Sequence, residues 1–253
     1  MQQSVDEIIS CLSDSPVCHG LALQTLESFA NQCRLVTEPR ANYVWTAGTV
    51  PEFFAIVQSG VVRLTQRTPH GKEVVVELLG KGDCTGLLAT LGNTQHPFNA
   101  YALSELTYVR VPSQAWRSLV RGHPKTLMRA VEAVVPRMLG GYGFMAFMAT
   151  SEVEARLALA LLRLADLNER ELGPKNPMRV TRQQLADIVV TTVESAIRVT
   201  SRWQKSGVIT TRHGQIRIED KRALQSLAHL PPGFNAFSSS GVLVPITHSG
   251  EIP

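Results

Sequence analysis

No stretch of this sequence approaches the roughly 20 unbroken apolar residues that a membrane span requires. Apolar runs such as Phe144 to Ala149 are soon interrupted by polar groups. The opening residues, Met1 to Glu7, lack the basic start and apolar stretch of a signal peptide, so the expected compartment is the reducing cytoplasm, with no membrane partner. Cysteine is scarce: the 253 residues hold four, Cys11, Cys18, Cys33 and Cys84. In that compartment they are expected as thiols or ligands, not disulfides. Catalytic signatures are missing as well. No Gly-x-Ser-x-Gly, His-Glu-x-x-His, phosphate-binding loop or dinucleotide fingerprint occurs, so no enzyme and no catalytic residue is expected. With 44% hydrophobic and 18% charged residues the balance is that of a globular chain of one large or two ordinary domains.

What charge there is sits unevenly. Residues 1 to 149 hold 12 Lys/Arg against 11 Asp/Glu, a net +1, whereas residues 150 to 230 hold 13 against 9, a net +4. Such asymmetry suits a nucleic-acid-binding module, although a solvated surface face produces differences of that size about as often. From Tyr43 to Val111 short runs rich in Val, Ile, Phe and Tyr are cut by Gly and Pro, the pattern of a compact antiparallel sheet. Gly60 to Arg67 and Lys72 to Leu79 read as a hairpin turned at Thr68-Pro69-His70-Gly71, and a glycine-dense corner, Gly80 to Gly86, follows.

Past Pro112 the composition turns helical. Val131, Val135, Met138, Tyr142, Met145 and Ala149 are spaced 4, 3, 4, 3, 4, as on a helix from about Leu127 to Ala149 packed along a partner helix; the competing reading is a helix on its own core. Pro136 is expected to kink it. Gly140, Gly141 and Gly143 mark either a tight crossing or a flexible point. A second helix opens at Ser151 and runs through Asp166, a loop covers Asn168 to Pro177, and residues 231–253 read as a poorly ordered tail.

The informative stretch is 180 to 218. Thr181-Arg182-Gln183-Gln184 is a capping box opening a helix of about eight residues, with Leu185, Ile188 and Val189 on its apolar face. After Val190-Thr191-Thr192, a second capping-box pattern, Thr191 to Glu194, opens a helix from Val193 to Lys205 that ends at Ser206-Gly207. Val208 to Thr211, a His213-Gly214 turn and Gln215 to Ile218 add a two-stranded wing. Residues 179 to 222 carry nine Lys/Arg and four Asp/Glu, the excess that phosphate neutralisation needs. Glu194, Arg198 and Arg202 recur at i, i+4, i+8, opposite Ala196, Val199 and Trp203. A carboxylate there accepts from cytosine N4, and Arg198 donates to guanine or a phosphate. A plain surface ion pair is the competing reading for Glu194 and Arg198.

With these residues in hand the sequence resembles the family of the cyclic-AMP receptor protein and the fumarate and nitrate reduction regulator (CRP/FNR). The likeness runs from residue 20 to 225. It is carried by Phe54-x-x-Val57-x-x-Gly60-x-Val62, His70-Gly71-Lys72-Glu73, Leu79-Gly80-Lys81-Gly82-Asp83-x-x-Gly86, the long helix, Thr181 to Ala186 and Val193 to Arg198. The resemblance implies an α+β protein. Behind an N-terminal segment (1–19) come a sensory antiparallel β-roll (20–111), a dimerisation helix region (112–149) and a C-terminal winged helix-turn-helix (150–230). It implies a homodimeric transcription regulator that binds double-stranded DNA and meets RNA polymerase. Base contacts are expected from Val193, Glu194, Ile197 and Arg198. Phosphate contacts are expected from Thr181, Arg182, Thr191, Thr192, Arg202, Lys205, Arg212 and Arg217. Val193 is closer to the FNR branch, whereas Ile197 stands where that branch has a small hydroxyl.

Cyclic-nucleotide members hold the phosphate with a Glu after the glycine corner and an Arg-Ser pair about ten residues on. Here those places read Leu87 and His96-Pro97-Phe98, so cyclic AMP or cyclic GMP bound in the usual way is not expected. An effector pocket is expected from Gly82, Thr85, Gly86, Leu87, Leu88, Pro97 and Phe98, with Lys81 the only fixed cation nearby. No cofactor and no metal is expected. The cysteine spacing departs from that of cluster-bearing sensors, and Cys18 reads as a packed thiol. An effector-independent DNA-binding dimer, or a redox or gas sensor using an iron-sulfur cluster or a haem on His19, His96 or His123, are the alternatives.

Overall fold

The computed structural model describes residues 2–67, 73–173 and 176–229. The hairpin turn at 68–72 and the tail at 231–253 lie outside the described residues. Contacts divide the chain into two compact units, one of residues 1–134 with 166–176 and one of 135–165 with the chain from Pro177 onward.

The first unit begins with two helices, α1 (Gln2–Asp14) and α2 (Leu23–Ala30), and continues with β1 (Arg34–Glu38), β2 (Tyr43–Trp45), β3 (Phe53–Ser59), β4 (Val62–Arg67), β5 (Glu73–Leu79) and β6 (Cys84–Thr85). A short α3 (Leu87–Gly92), β7 (Asn99–Ala102), β8 (Leu106–Pro112) and α4 (Ser113–Gly122) follow. The strands form two antiparallel four-stranded sheets, ordered β1-β8-β3-β6 and β2-β7-β4-β5. The expected hairpin is there, with Val62 opposite Leu79 and Arg67 opposite Glu73. The sheet starts earlier than the apolar runs suggested: β1 is half-exposed, so its residues do not form an unbroken apolar run.

In β3, Phe54, Ala55, Ile56 and Val57 are buried one after another, without the alternation of a strand that has one wet face. The reason is that both its faces are covered. Phe54 and Ile56 enter a core shared with α1, α2, α4 and the start of the next helix, whereas Ala55 and Val57 enter the core between the two sheets with Val62, Leu79 and Tyr108. Ile8, Cys11 and Leu12 supply the buried stripe of α1, a 3–4 spacing that marks it as helical. Gly60 (φ +85°) turns β3 into β4; a Cβ there would stand 2.1 Å from the Glu105 carbonyl, so only glycine fits.

The long helix is α5 (Pro124–Thr150), close to the span expected from about Leu127 to Ala149, and a separate α4 precedes it within the region 112–149. Proline at its first position has no helical N–H to lose. The helix continues through Pro136, and the division between the units falls beside it, at Val134/Val135. Val131, Val135, Met138, Tyr142, Met145 and Ala149 are all exposed. With Met128 and Leu139 they form an apolar face that the described residues leave exposed, whereas Ala130 and Val134 of the same helix are buried in the core.

Then comes α6 (Val153–Leu172), which ends six residues beyond the Asp166 expected. Its final turns belong to the first unit. Arg170 reaches both oxygens of Asp83 at 3.2 Å, Glu171 accepts the Gly60 N–H at 2.8 Å, and Leu167 lies against Gly80. The second unit holds the earlier turns of α6, with Leu157, Leu159 and Leu161 fully buried. Around them come β9 (Met178–Arg179), α7 (Arg182–Val189), α8 (Val193–Lys205), β10 (Ile209–Arg212), β11 (Gln215–Ile218) and α9 (Lys221–Leu227). The wing has three strands, ordered β10-β11-β9, rather than two, because Met178 pairs with Ile216 and buries its side chain.

Candidate nucleic-acid interface

Helix α7 starts as the capping box requires. Thr181 Oγ1 accepts the Gln184 N–H at 3.1 Å, and Gln184 Oε1 accepts the Thr181 N–H at 2.8 Å. It ends at Val190, whose φ of +55° puts a β-branched residue in the left-handed region. The second cap is shifted by one residue from the sequence reading. Thr192, not Thr191, is the N-cap, and its hydroxyl accepts from Ser195 N at 3.2 Å. Thr191 is still engaged in closing α7, its N–H donating to Ala186 O. Glu194 therefore stands in the first turn of α8. Its carboxyl is held below the usual range by its own backbone N–H and then by the Thr192 hydroxyl, so it is an anionic acceptor at neutral pH.

One side of α8 is closed. Ala196, Val199, Thr200 and Trp203 are buried, and Thr200 Oγ1 donates to Ala196 O at 2.7 Å. The opposite side presents Glu194, Ile197, Arg198 and Ser201, at i, i+3, i+4 and i+7, all exposed. Arg202 lies off this row, because eight residues turn a helix about 80° past full circles. Its guanidinium is ion-paired with Glu154 of α6, and the same carboxylate accepts the Trp203 indole N–H at 2.8 Å. Nearby, Arg156 donates to Val189 O at 3.1 Å and fixes the end of α7. The sequence reading missed Glu154 and Arg156; a Glu at the start of an Ala/Leu-rich helix reads as a helix-start acid.

The expected phosphate contacts divide. Thr181, Thr192, Lys205, Arg212 and Arg217 are exposed, and Thr191 is half-exposed. Arg182 is half-buried and donates to Thr211 Oγ1 at 3.1 Å, where burial lowers its pKa. The wing turns tightly at His213 and Gly214, both with positive φ, which sets Arg212 opposite Gln215.

The glycine corner of the first unit is less open than the apolar letters suggested. Gly86 (φ +84°) passes so close to a ring stack that a Cβ would meet His96 Cε1 at 3.0 Å and Trp45 Cη2 at 3.1 Å. The two rings lie 4.3 Å apart and nearly parallel, and burial lowers the His96 pKa. Because α3 turns by about 100° per residue, Leu87 points into the core at 2% exposure while Leu88 faces out at 48%. Thr85 is buried, Gly82 half-exposed, Pro97 exposed, and Phe98 packs against the inter-sheet core. The seven expected pocket residues thus range from buried to exposed. Lys81 is exposed, and the fixed cation at the corner is Arg170, neutralised by Asp83, which corrects the reading of Lys81 as the only one.

All four cysteines are free and buried in the core beneath α1 and α2. Burial pushes the Cys11 and Cys33 thiols up to about 12 and raises Cys18 further, with the other three thiols adding to the shift at Cys18. Cys33 donates to Phe29 O at 3.4 Å. Among the described residues no group of three or more His, Cys, Asp or Glu is placed to hold a metal ion. The His96 ring is buried and stacked on Trp45. The burial that keeps the Cys11, Cys18 and Cys33 thiols protonated opposes the thiolate form that an iron-sulfur cluster requires.

A roll of two antiparallel sheets followed by a winged helix-turn-helix defines a DNA-binding regulator carrying a ligand-binding type of domain. Residues 36–123 match the cyclic nucleotide-binding domain, and residues 155–227 match the Crp-like helix-turn-helix domain. The nitrogen fixation regulation protein FixK of Bradyrhizobium diazoefficiens is 25% identical, covering 85% of this chain and 90% of its own. The cyclic AMP receptor protein of Thermus thermophilus is 23% identical, covering 86% and 98%. Among solved structures, the c-di-GMP responsive global regulator CLP of Xanthomonas campestris superimposes with a TM-score of 0.64 at 20% identity, over 78% of this chain and 99% of that one. The chain belongs to the CRP/FNR family of DNA-binding transcription regulators. Among the described residues no helix is long and apolar enough to cross a membrane.

Proposed function

We propose that this regulator acts in the cytoplasm as a homodimer that reads a two-fold symmetric DNA site through α8, with RNA polymerase as its further partner. The observation that carries the reading is the outer row of α8: an ionised Glu194 and an exposed Arg198 one turn apart, on a helix whose other side is buried and capped. Arg198 matches the O6/N7 edge of guanine and Glu194 the N4 of its cytosine. Val193, at the start of the helix, is half-buried and borders this row. Arg212, Arg217, Lys205 and the hydroxyls of Thr181, Thr191 and Thr192 are suited to phosphates. Two such helices in a symmetric dimer address half-sites about one helical turn apart. The exposed apolar face of α5 supports the dimer.

The test is a gel-shift titration on a selected site and on random duplex. Arg198→Ala is expected to cost about 1 to 3 kcal/mol on the selected site and much less on random DNA. Arg217→Ala is expected to weaken both alike. Equal losses for the two variants on both DNAs would remove the base-reading assignment.

For the roll we infer an effector other than a cyclic nucleotide held in the usual way. Relatives are named for cyclic AMP and for c-di-GMP. Here the corner carries Leu87 and a Trp45–His96 stack, the Arg170 guanidinium is paired with Asp83, and that of Arg117 donates to Thr90 O and Asn93 Oδ1. A buried phosphodiester without a charged donor costs several kcal/mol. Titration calorimetry with cyclic AMP and cyclic GMP is expected to give no heat up to roughly a hundred micromolar; saturable micromolar binding of either would defeat the inference.

A further inference from the structure

Helix α6 takes part in both compact units. Its first turns, in the second unit, hold the helix-turn-helix: Glu154 engages Trp203 and Arg202 of α8, and Arg156 donates to Val189 O at the end of α7. Its last turns, from Asp166 on, belong to the first unit and dock on two turns of the roll. The helix runs without a break from Val153 to Leu172, so the two ends are parts of one rod.

The docking consists of a few directed contacts. Asp83, 5% exposed, takes the Arg170 fork on both oxygens at 3.2 Å and accepts the Gly80 N–H at 2.9 Å. Glu171 accepts the Gly60 N–H at 2.8 Å, and Arg170 also reaches Lys81 O at 3.5 Å. Leu167 supplies the apolar part: it is buried, and a Cβ on Gly80 would stand 3.0 Å from its Cδ2. A fork of this kind depends on exact geometry more than apolar packing does, so a small movement of the turn that carries Asp83 breaks it.

The place of the docking indicates what moves that turn. Asp83 lies on the same glycine corner as Gly86, which packs so close to the Trp45–His96 stack that a Cβ would stand 3.0 Å from His96. These rings fill the corner themselves, and a molecule entering there must push them against Gly86 and the backbone that leads to Asp83. Docked α6 is thus the arrangement of a roll filled by its own side chains. Any placement of α8 on DNA that requires α6 to shift carries the cost of breaking the docking contacts, and that cost appears as lost affinity.

We propose that the Arg170–Asp83 and Glu171–Gly60 contacts are an autoinhibitory latch: they restrain α6 and keep the affinity for DNA low while Trp45 and His96 fill the corner, and a molecule entering the corner releases them. The inference rests on the readings of α8 as the DNA-reading helix and of the roll as an effector domain, and adds the device that joins them.

The experiment is a gel-shift titration of the full chain, with no small molecule added, on a site selected from random duplexes and on random duplex. Arg170→Ala and Glu171→Ala are each expected to raise the affinity for the selected site about fivefold or more, the low end of coupling between two sites, and to leave that for random DNA unchanged. Arg170→Lys, which keeps the charge and loses the fork, should give a smaller rise. Far-UV circular dichroism checks that each variant is folded. Should Arg170→Ala unfold the roll by leaving Asp83 unpaired, Glu171→Ala, which keeps the Arg170–Asp83 pair, decides by itself. Unchanged or lowered affinity for the selected site in a folded variant overturns the latch alone. A selection with the wild type that enriches no sequence overturns the DNA-reading helix, and the latch with it.

Discussion

Glu154, at the start of α6, accepts the indole N–H of Trp203, on the inner side of α8, at 2.8 Å, and the same carboxylate holds Arg202. The contact fixes the rotation of α8 about its own axis, and so decides which residues form its outer row. Glu154→Gln should weaken it and Glu154→Ala abolish it, leaving a buried N–H without a partner at a cost of about 1 to 3 kcal/mol in denaturant unfolding. An unchanged midpoint in Glu154→Ala would show that the contact does not stabilise the winged unit.

The same carboxyl gives a pH dependence. Its burial acts to raise the pKa, but the hydrogen bonds from Arg202 and Trp203 outweigh burial and leave it below the ordinary 4.5. A depressed carboxylate adds stability above its unfolded value and loses it as pH falls through the folded value. The winged unit should therefore lose stability below pH 4.5, and Glu154→Gln should flatten that part of the curve. Unfolding curves of the two proteins that stay parallel across the range would refute it.

Val190 stands in the left-handed region at φ +55° and is 43% exposed, so it stores strain and gives little burial in return. Val190→Gly should raise the unfolding free energy by about 1 kcal/mol, less whatever the freer unfolded chain takes back. A lower melting temperature in this variant would mean that the exposed side chain matters more than its backbone.

Gly86→Ala should act in the opposite direction. Positive φ and the ring stack at 3.0 to 3.2 Å from the added Cβ combine, and the loss should be about 1 to 3 kcal/mol. Because the clash is with Trp45, its fluorescence should shift in the folded state. Wild-type stability and spectrum would show that the stack yields without cost.

Met138 lies mid-way along the open face of α5, at 42% exposure. If a second copy covers that face, each of its larger side chains contributes roughly 1.5 to 3 kcal/mol, and Met138→Glu places an unpaired charge in their midst. Sedimentation should show the wild type as a dimer and the variant as a monomer at micromolar concentration. A variant that remains dimeric would place the interface elsewhere.

Much of the winged helix-turn-helix was legible in the residues. Thr181 to Gln184, the three-residue turn and the 193–205 helix are written in local chemistry: caps, a hydrophobic period and a glycine stop act within a few residues of themselves. The 4-3 spacing along α5 was legible for the same reason, as was the β4–β5 hairpin, although not the shift in its register between Leu64 and Thr65. What local chemistry cannot specify is a partner far along the chain. That Thr192 rather than Thr191 caps α8 depended on Thr191 being needed by Ala186 O. That the Arg202 guanidinium is held by an ion pair depended on Glu154, which lies 48 residues earlier. The third wing strand, the Arg170–Asp83 pair and the Trp45–His96 stack that fills the glycine corner are likewise meetings of residues distant in sequence. Their energies come from burial and paired charge, and these exist only once the chain has closed on itself. The sequence by itself determined the hairpin, the long helix, the two helices of the helix-turn-helix and the family; the tertiary structure decided which side chains remain free at the surface.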